Sequence, residues 1–138
     1  MQPPIGRHIH WIARILQKEF NQTLEEAGGS QPVWLILLSA KGKAFATQQE
    51  LARSIGIEGP TLTHHLDSME RDGLVARSRD PGNRRSVRVD LTSDGEKLFK
   101  RLRTAAGRFD ERLREGISDK EIDVVRDLLT RMAENVSR

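Results

Sequence analysis

The 138-residue chain contains no cysteine. Disulfides, thiolate metal sites and cysteine redox sensing are therefore excluded. No apolar run approaches the ~20 residues of a membrane span, and the stretch Val33–Ala40 falls well short. The start Met1-Gln2-Pro3-Pro4 lacks the basic residues and apolar run of a secretory signal. A soluble, cytoplasmic protein with no membrane partner is expected. The chain has no GxSxG, GxGxxG, P-loop or HExxH pattern, so no enzyme is expected and no catalytic residue is assigned. Its histidines do not make a metal pair. His8 and His10 are too close to share a helix face, and His64 and His65 are adjacent, whereas a zinc pair on a helix needs i, i+4 spacing. No metal and no cofactor are expected. Repeats, low-complexity segments and long linkers are also missing. Residues 1–138 thus read as one domain, long enough to bury a core.

What is present is charge, unevenly placed. The net charge is only +3, but its distribution says more than its sum. Residues 47–76 carry two Lys/Arg against five acids, while residues 77–91 carry five against two. The positive field belongs to the second segment, around an expected turn.

Periodicity supplies the elements. A first helix over about 5–27 has an apolar stripe at Ile5, Ile9, Ile12, Leu16 and Phe20, and Gly28-Gly29 ends it. A buried second helix follows over about Pro32–Ala40. Thr47-Gln48-Gln49-Glu50 reads as a capping box opening a short third helix that stops at Gly56. Pro60 suits the first turn of a fourth helix, because that turn needs no amide donor there. Leu62, Leu66 and Met69 give this helix its buried face. Thr61, Thr63, His64, Ser68 and Arg71 are left pointing outward. Asp67, four residues before Arg71, is expected to pair with it along the helix.

Leu74–Arg79 and Ser86–Leu91 read as strands, since Val87, Val89 and Leu91 alternate with Arg88 and Asp90. Asp80-Pro81-Gly82-Asn83 is a type II turn signal. Ser93-Asp94-Gly95-Glu96 and Ser118-Asp119-Lys120-Glu121 read as further capping boxes. The first opens a helix with Leu98, Leu102, Ala105, Phe109 and Leu113 inward. The second opens a last helix that buries Ile122, Val125, Leu128, Leu129, Met132 and Val136.

The fold class that follows is mainly α with a small antiparallel β-wing, a winged helix-turn-helix. Its DNA-binding module spans about 44–91. The helices over about 5–27 and 92–137 are the dimerising elements, although a monomeric bundle can use the same stripes. Helix, tight turn, helix and ribbon is a layout that sets one helix in the major groove and the ribbon beside it. Hydroxyls at Thr47, Thr61, Thr63 and Ser68 can bond phosphates or base edges, and the threonine methyls can meet thymine methyls. His64 can donate or accept, and Pro60 and Arg71 complete the face. Arg77, Arg79, Arg84, Arg85 and Arg88 flank a projecting turn. Arginine at a ribbon tip fits the narrow, electronegative minor groove of A/T-rich DNA.

These residues carry a family resemblance. Gln49-Glu50-Leu51-Ala52-Arg53-Ser54-Ile55-Gly56-Ile57-Glu58 and Pro60-Thr61-Leu62 resemble the multiple antibiotic resistance regulator (MarR) family, especially its SlyA-type branch. So do Met69–Val75 and Asn83-Arg84-Arg85-Ser86-Val87-Arg88-Val89-Asp90-Leu91-Thr92. The resemblance covers nearly the whole chain. It implies an obligate homodimer, a palindromic double-stranded DNA operator, and a small ligand that relieves repression by loosening DNA binding. In the family's wing motif an acid stands two places before an arginine. Here that place is Asn83, and the arginine maps to Arg85. Asparagine accepts a guanidinium bond without adding the opposite charge that gives an ion pair its strength, and Asp80 can substitute from across the turn.

Family regulators often bind aromatic carboxylates in a crevice beside the dimer helices. Arg7, Trp11 and Arg14 share a face of the first helix at i, i+4, i+7, and Trp34 lies on the second. Arginine for a carboxylate and indole for a ring suit such an effector. Core indoles and solvated arginines are the plainer reading of the same residues. Two other functions fit a winged helix, namely a protein-interaction module and an architectural DNA binder without ligand control. Five wing arginines speak against the first. The acidic balance of residues 47–76 speaks against the second, because affinity from phosphates alone favours a basic reading helix.

Overall fold

Short-range signals set most of the helix boundaries. The computed structural model describes residues 2–43 and 45–138, and leaves the side chains of Asp80, Asn83, Arg84 and Arg85 undescribed. The order is α1 (Ile5–Glu26), α2 (Gln31–Gly42), α3 (Gln48–Ile55), α4 (Gly59–Arg71), β1 (Val75–Asp80), β2 (Asn83–Leu91), α5 (Ser93–Leu113) and α6 (Asp119–Val136). The chain divides into two compact units, residues 1–106 and 107–138.

In the first unit, the Ser30 hydroxyl caps α2 by accepting from the Val33 amide at 3.3 Å, with Pro32 in the first turn. The Thr47 hydroxyl caps α3 by accepting from the Glu50 amide at 3.1 Å. Glu50 reaches back one residue further than a capping box requires and accepts from the Ala46 amide at 2.9 Å. Gly56 and Gly73 each adopt φ +74° at the ends of α3 and α4. Only glycine takes that conformation freely, so each helix stops where its apolar pattern stops.

At the start of α5 the expected cap moves by one residue. Thr92, not Ser93, accepts from the Gly95 amide at 3.0 Å, and its hydroxyl donates to the Gly73 carbonyl at 2.6 Å. The Thr92 amide also donates to the Leu74 carbonyl at 3.1 Å. One threonine therefore ties the end of α4, the root of the wing and the start of α5. Glu96, the other half of the expected box, pairs with Lys41 of α2 at 3.0 Å instead.

The ribbon is longer than the alternation implied. β1 and β2 pair antiparallel from Val75↔Leu91 to Asp80↔Asn83, with an irregularity between Ser78 and Asp80. Residues 83–85 thus extend the second strand, and Pro81-Gly82 form the turn between the paired Asp80 and Asn83. The segment before α3 adds a short third edge through the pairing of Thr47 with Ser86 and a 3.1 Å bond from the Val87 amide to the Ala46 carbonyl.

The core lies wholly in the first unit. Leu24, Ile36, Leu37, Leu51, Leu62, Leu66, Met69 and Leu102 are fully buried, joined by Val75, Val87, Val89, Leu98 and Phe99. Trp34 stacks on Phe99 with ring centres 5.6 Å apart. The first turns of α1 do not join this core, since Ile5, Trp11, Ile12 and Ile15 are exposed.

In the second unit, α6 has the full capping box expected of it, Ser118 and Glu121 each satisfying the other's amide at 3.1 Å. Its apolar stripe is not covered within the single chain. No residue of α6 is buried, and Val124, Val125, Leu128, Leu129 and Val136 are exposed. An amphipathic helix of this kind buries its stripe against another surface, and within the single chain that burial is not achieved.

Candidate nucleic-acid interface

The pairing of α3 with α4 decides what the reading face offers. Leu51 and Ala52 of α3 and Leu62, Leu66 and Met69 of α4 go into the core. The opposite face of α4 leaves Thr61, Thr63, His64 and Arg71 exposed, as the spacing predicts, and Pro60 with them, whereas Ser68 is half-buried. Thr63 is not a free hydroxyl. It donates to the Gly59 carbonyl at 3.1 Å and accepts from the Gln48 side-chain amide of α3. Thr63 therefore presents its methyl more readily than its hydroxyl. Gln48, absent from the sequence-based set, is the residue that orients it. Thr47 has likewise committed its hydroxyl to the α3 cap and its backbone to the wing.

The described wing arginines sit in different surroundings. Arg79 is exposed, and Arg88 is exposed with a 2.7 Å ion pair to Asp90 on its own strand. For Arg84 and Arg85 the ribbon's backbone is described and the side chains are not, so the expected support from Asn83 or Asp80 lies outside the described residues. Arg77 differs from Arg79 and Arg88. It stands opposite Val89 in the ladder, and Val75, Val87 and Val89 fill that face of the pleat into the core. Its side chain is consequently only 21% exposed.

There its guanidinium donates to two carboxylates of α4, that of Asp67 and, at 3.2 Å, that of Glu70. Its amide also donates to the second Glu70 oxygen at 3.2 Å. Asp67 thus pairs across to the wing and not along the helix with Arg71. Asp67 and Glu70 are three residues apart and so share a helix face, which was the available sign of a common partner. Glu70 is held below its ordinary value of 4.5, first by the Arg77 side-chain bond, then by the Arg77 amide and charge. For Arg77, burial works against the charge, but the bonds from Glu70 and Asp67 outweigh it and raise its pKa. Because Glu70 is lowered, its own part of the tie is complete above the usual carboxylate range and is lost as pH falls through the folded value, below 4.5. Gln48, Thr63, Asp67, Glu70, Arg77 and Arg79 line the cleft between α4 and the wing, a space of about 420 Å³.

The expected effector residues are only partly brought together. Arg7, Trp11 and Arg14 line an open groove of about 860 Å³ along α1, with His8 packed 5.7 Å from the Trp11 ring. Trp34 is in the core stack with Phe99 and does not line that groove. Among the described residues no group of three or more histidines and acids is arranged to hold a metal ion. No described helix is long and apolar enough to cross a membrane.

A capped two-helix reader with an arginine-bearing antiparallel ribbon packed at its side defines a winged helix-turn-helix regulator of the DNA-binding class. Residues 30–87 match the model of the MarR family. The chain is 31% identical to a solved structure described as the transcriptional regulator PA3341, over 97% of this chain and 98% of that one, with a TM-score of 0.80. It is 25% identical to a mutant MarR from E. coli solved in complex with operator DNA, over 94% and 93% of the two chains, TM-score 0.79. It is also 25% identical to CouR from Rhodococcus jostii RHA1 bound to p-coumaroyl-CoA, over 94% and 91%, TM-score 0.76. The chain belongs to the MarR family.

Proposed function

We propose that this chain is a homodimeric repressor that reads a palindromic operator and releases it when a small aromatic anion binds. The observation that carries the DNA-reading half is the α4 face set beside an arginine wing on one packed module. The relative from E. coli solved on operator DNA supports the same use of the fold. In this reading Thr61, His64, Ser68 and Arg71 face the major groove, with Pro60 and Thr47 against the backbone. Arg79, Arg84, Arg85 and Arg88 serve the minor groove and its phosphates. The SlyA-type wording of Gln49–Leu62 belongs to the same proposal.

Titration of duplex DNA across a salt series tests this half. Affinity should fall steeply with salt, and Arg85→Ala should lose more of it than Arg84→Ala. Equal losses would refute that ranking, and a flat salt dependence would refute phosphate-driven binding altogether.

The dimer half rests on α6. Its exposed stripe of Val124, Val125, Leu128 and Leu129 fits a second copy better than water. Residues 1–138 then act as one winged-helix subunit, with the helices over about 5–27 and 92–137 at the junction.

The ligand half rests on the α1 groove, where Arg7 and Arg14 flank a half-exposed Trp11. CouR, solved with an aromatic acyl thioester, is consistent with a ligand of this character. Salicylate should quench tryptophan fluorescence in the parent protein, and Trp11→Phe should remove the effect while Trp34 remains. A flat titration together with unchanged DNA affinity would sink the ligand reading.

A further inference from the structure

Arg77 is held in a way that a DNA contact does not need. A phosphate-seeking arginine gains from exposure, as at Arg88, whose side chain is 70% exposed and held by one acid of its own strand. Arg77 instead stands on the inward face of the ribbon, opposite a buried valine. Glu70 grips it twice, one carboxylate oxygen on the guanidinium and the other on the amide. Asp67 adds a third bond from the turn of α4 before. All three bonds run between the reading helix and the first wing strand.

We propose that Arg77 is a positioning residue that fixes the wing against the reading helix through Asp67 and Glu70, and does not itself contact DNA. The inference rests on the DNA-reading function above and assigns this arginine a different task within it. Its physical basis is effective concentration. When a helix enters one groove, a ribbon held at a set angle meets the adjacent groove without a further search, whereas a swinging ribbon must be ordered on binding. The same bonds neutralise two carboxylates that would otherwise face a polyanion from the cleft.

The decisive variant is Asp67→Asn with Glu70→Gln. It removes two negative charges from the DNA-facing side and frees Arg77. If Arg77 were a phosphate ligand restrained by its acids, this variant would bind every duplex more tightly. A positioning role predicts the opposite for the duplex enriched by selection, a weakening of about tenfold, with binding to a scrambled duplex equal or tighter. Arg77→Ala should weaken the enriched duplex similarly. Combining all three changes should be no worse than the worse of the two, because they break the same tie.

A second readout does not involve DNA. In the free protein, either variant should speed hydrogen exchange at the amides of β1 and β2 while the amides of Leu62 and Leu66 keep their protection. Tighter binding of the enriched duplex, additive losses, or unchanged wing exchange would each overturn the proposal. If the parent protein enriches no sequence, the DNA-reading function fails on that result alone. The exchange measurement then decides the tie separately: faster wing exchange keeps it, and no change ends it.

Discussion

Gly95→Ala is expected to cost the protein about 3 kcal/mol or more, at the upper end for forcing a carbon into a filled site. A Cβ on Gly95 would sit 2.0 Å from the Leu74 carbonyl oxygen and 3.1 Å from its carbon. Both are backbone atoms, and neither can turn aside as a flexible side chain would. Leu74 cannot retreat easily, because its carbonyl accepts from the Thr92 amide and Thr92 is bonded to Gly73. The new methyl therefore pushes α5 off the wing root, and the damage spreads to β1 and the end of α4. A melting temperature lower by on the order of 10 °C is expected.

The matching control is Gly107→Ala. Gly107 is a helical glycine of α5 with nothing within 4 Å of its added Cβ. That change should stabilise by about 0.5–1 kcal/mol through helix propensity. Thermal denaturation of both variants checks the pair. A Gly95→Ala protein that melts with the parent would mean that this close approach does not hold α5 to the wing.

The second large effect is expected from α6. Val125→Glu combined with Leu128→Glu places two charges in a stripe that the single chain leaves exposed. If that stripe meets a second copy, two buried unpaired carboxylates at each half of the junction are intolerable. The solution mass should fall to that of one chain. Affinity for a duplex with two half-sites should drop by about a hundredfold or more, because the second half-site is no longer bound at high effective concentration. The first unit carries its own core and should retain its helical signal. If the stripe is ordinary solvated surface, light scattering and DNA titration will both read as for the parent.

How much of this was legible in the sequence follows the range of each interaction. The reading face of α4 was legible because Leu62, Leu66 and Met69 mark the inward side within one helix. The caps at Thr47 and Ser118 and the stops at Gly56 and Gly73 were legible because they depend on neighbours three or four residues away. Thr92 was not, because its hydroxyl answers to Gly73, nineteen residues back across the whole wing. Asp67 looked paired with Arg71 because i, i+4 is the nearest partner in sequence. The fold supplies Arg77 at closer quarters, from a strand that the helix packs against. The sign was present, since the register that puts Val87 and Val89 inward also puts Arg77 inward once the strands are paired.

The two tryptophans part for the same reason. Trp34 finds Phe99, sixty-five places away, and becomes core, while Trp11 stays on an exposed helix face. The α6 stripe was legible as amphipathic, but periodicity gives a face and never names what covers it. Within the single chain that face stays uncovered.

In the proposed function two copies read two half-sites together, α4 in the major groove and the wing beside it. The most direct measurement is selection of bound sequences from a random duplex library at near-physiological salt, with the mass of the complex recorded on the enriched duplex. An enriched palindrome with half-sites about one helical turn apart, carrying two chains per duplex, is the expected result. Strong binding with no enriched sequence, or one chain on an asymmetric site, would contradict it.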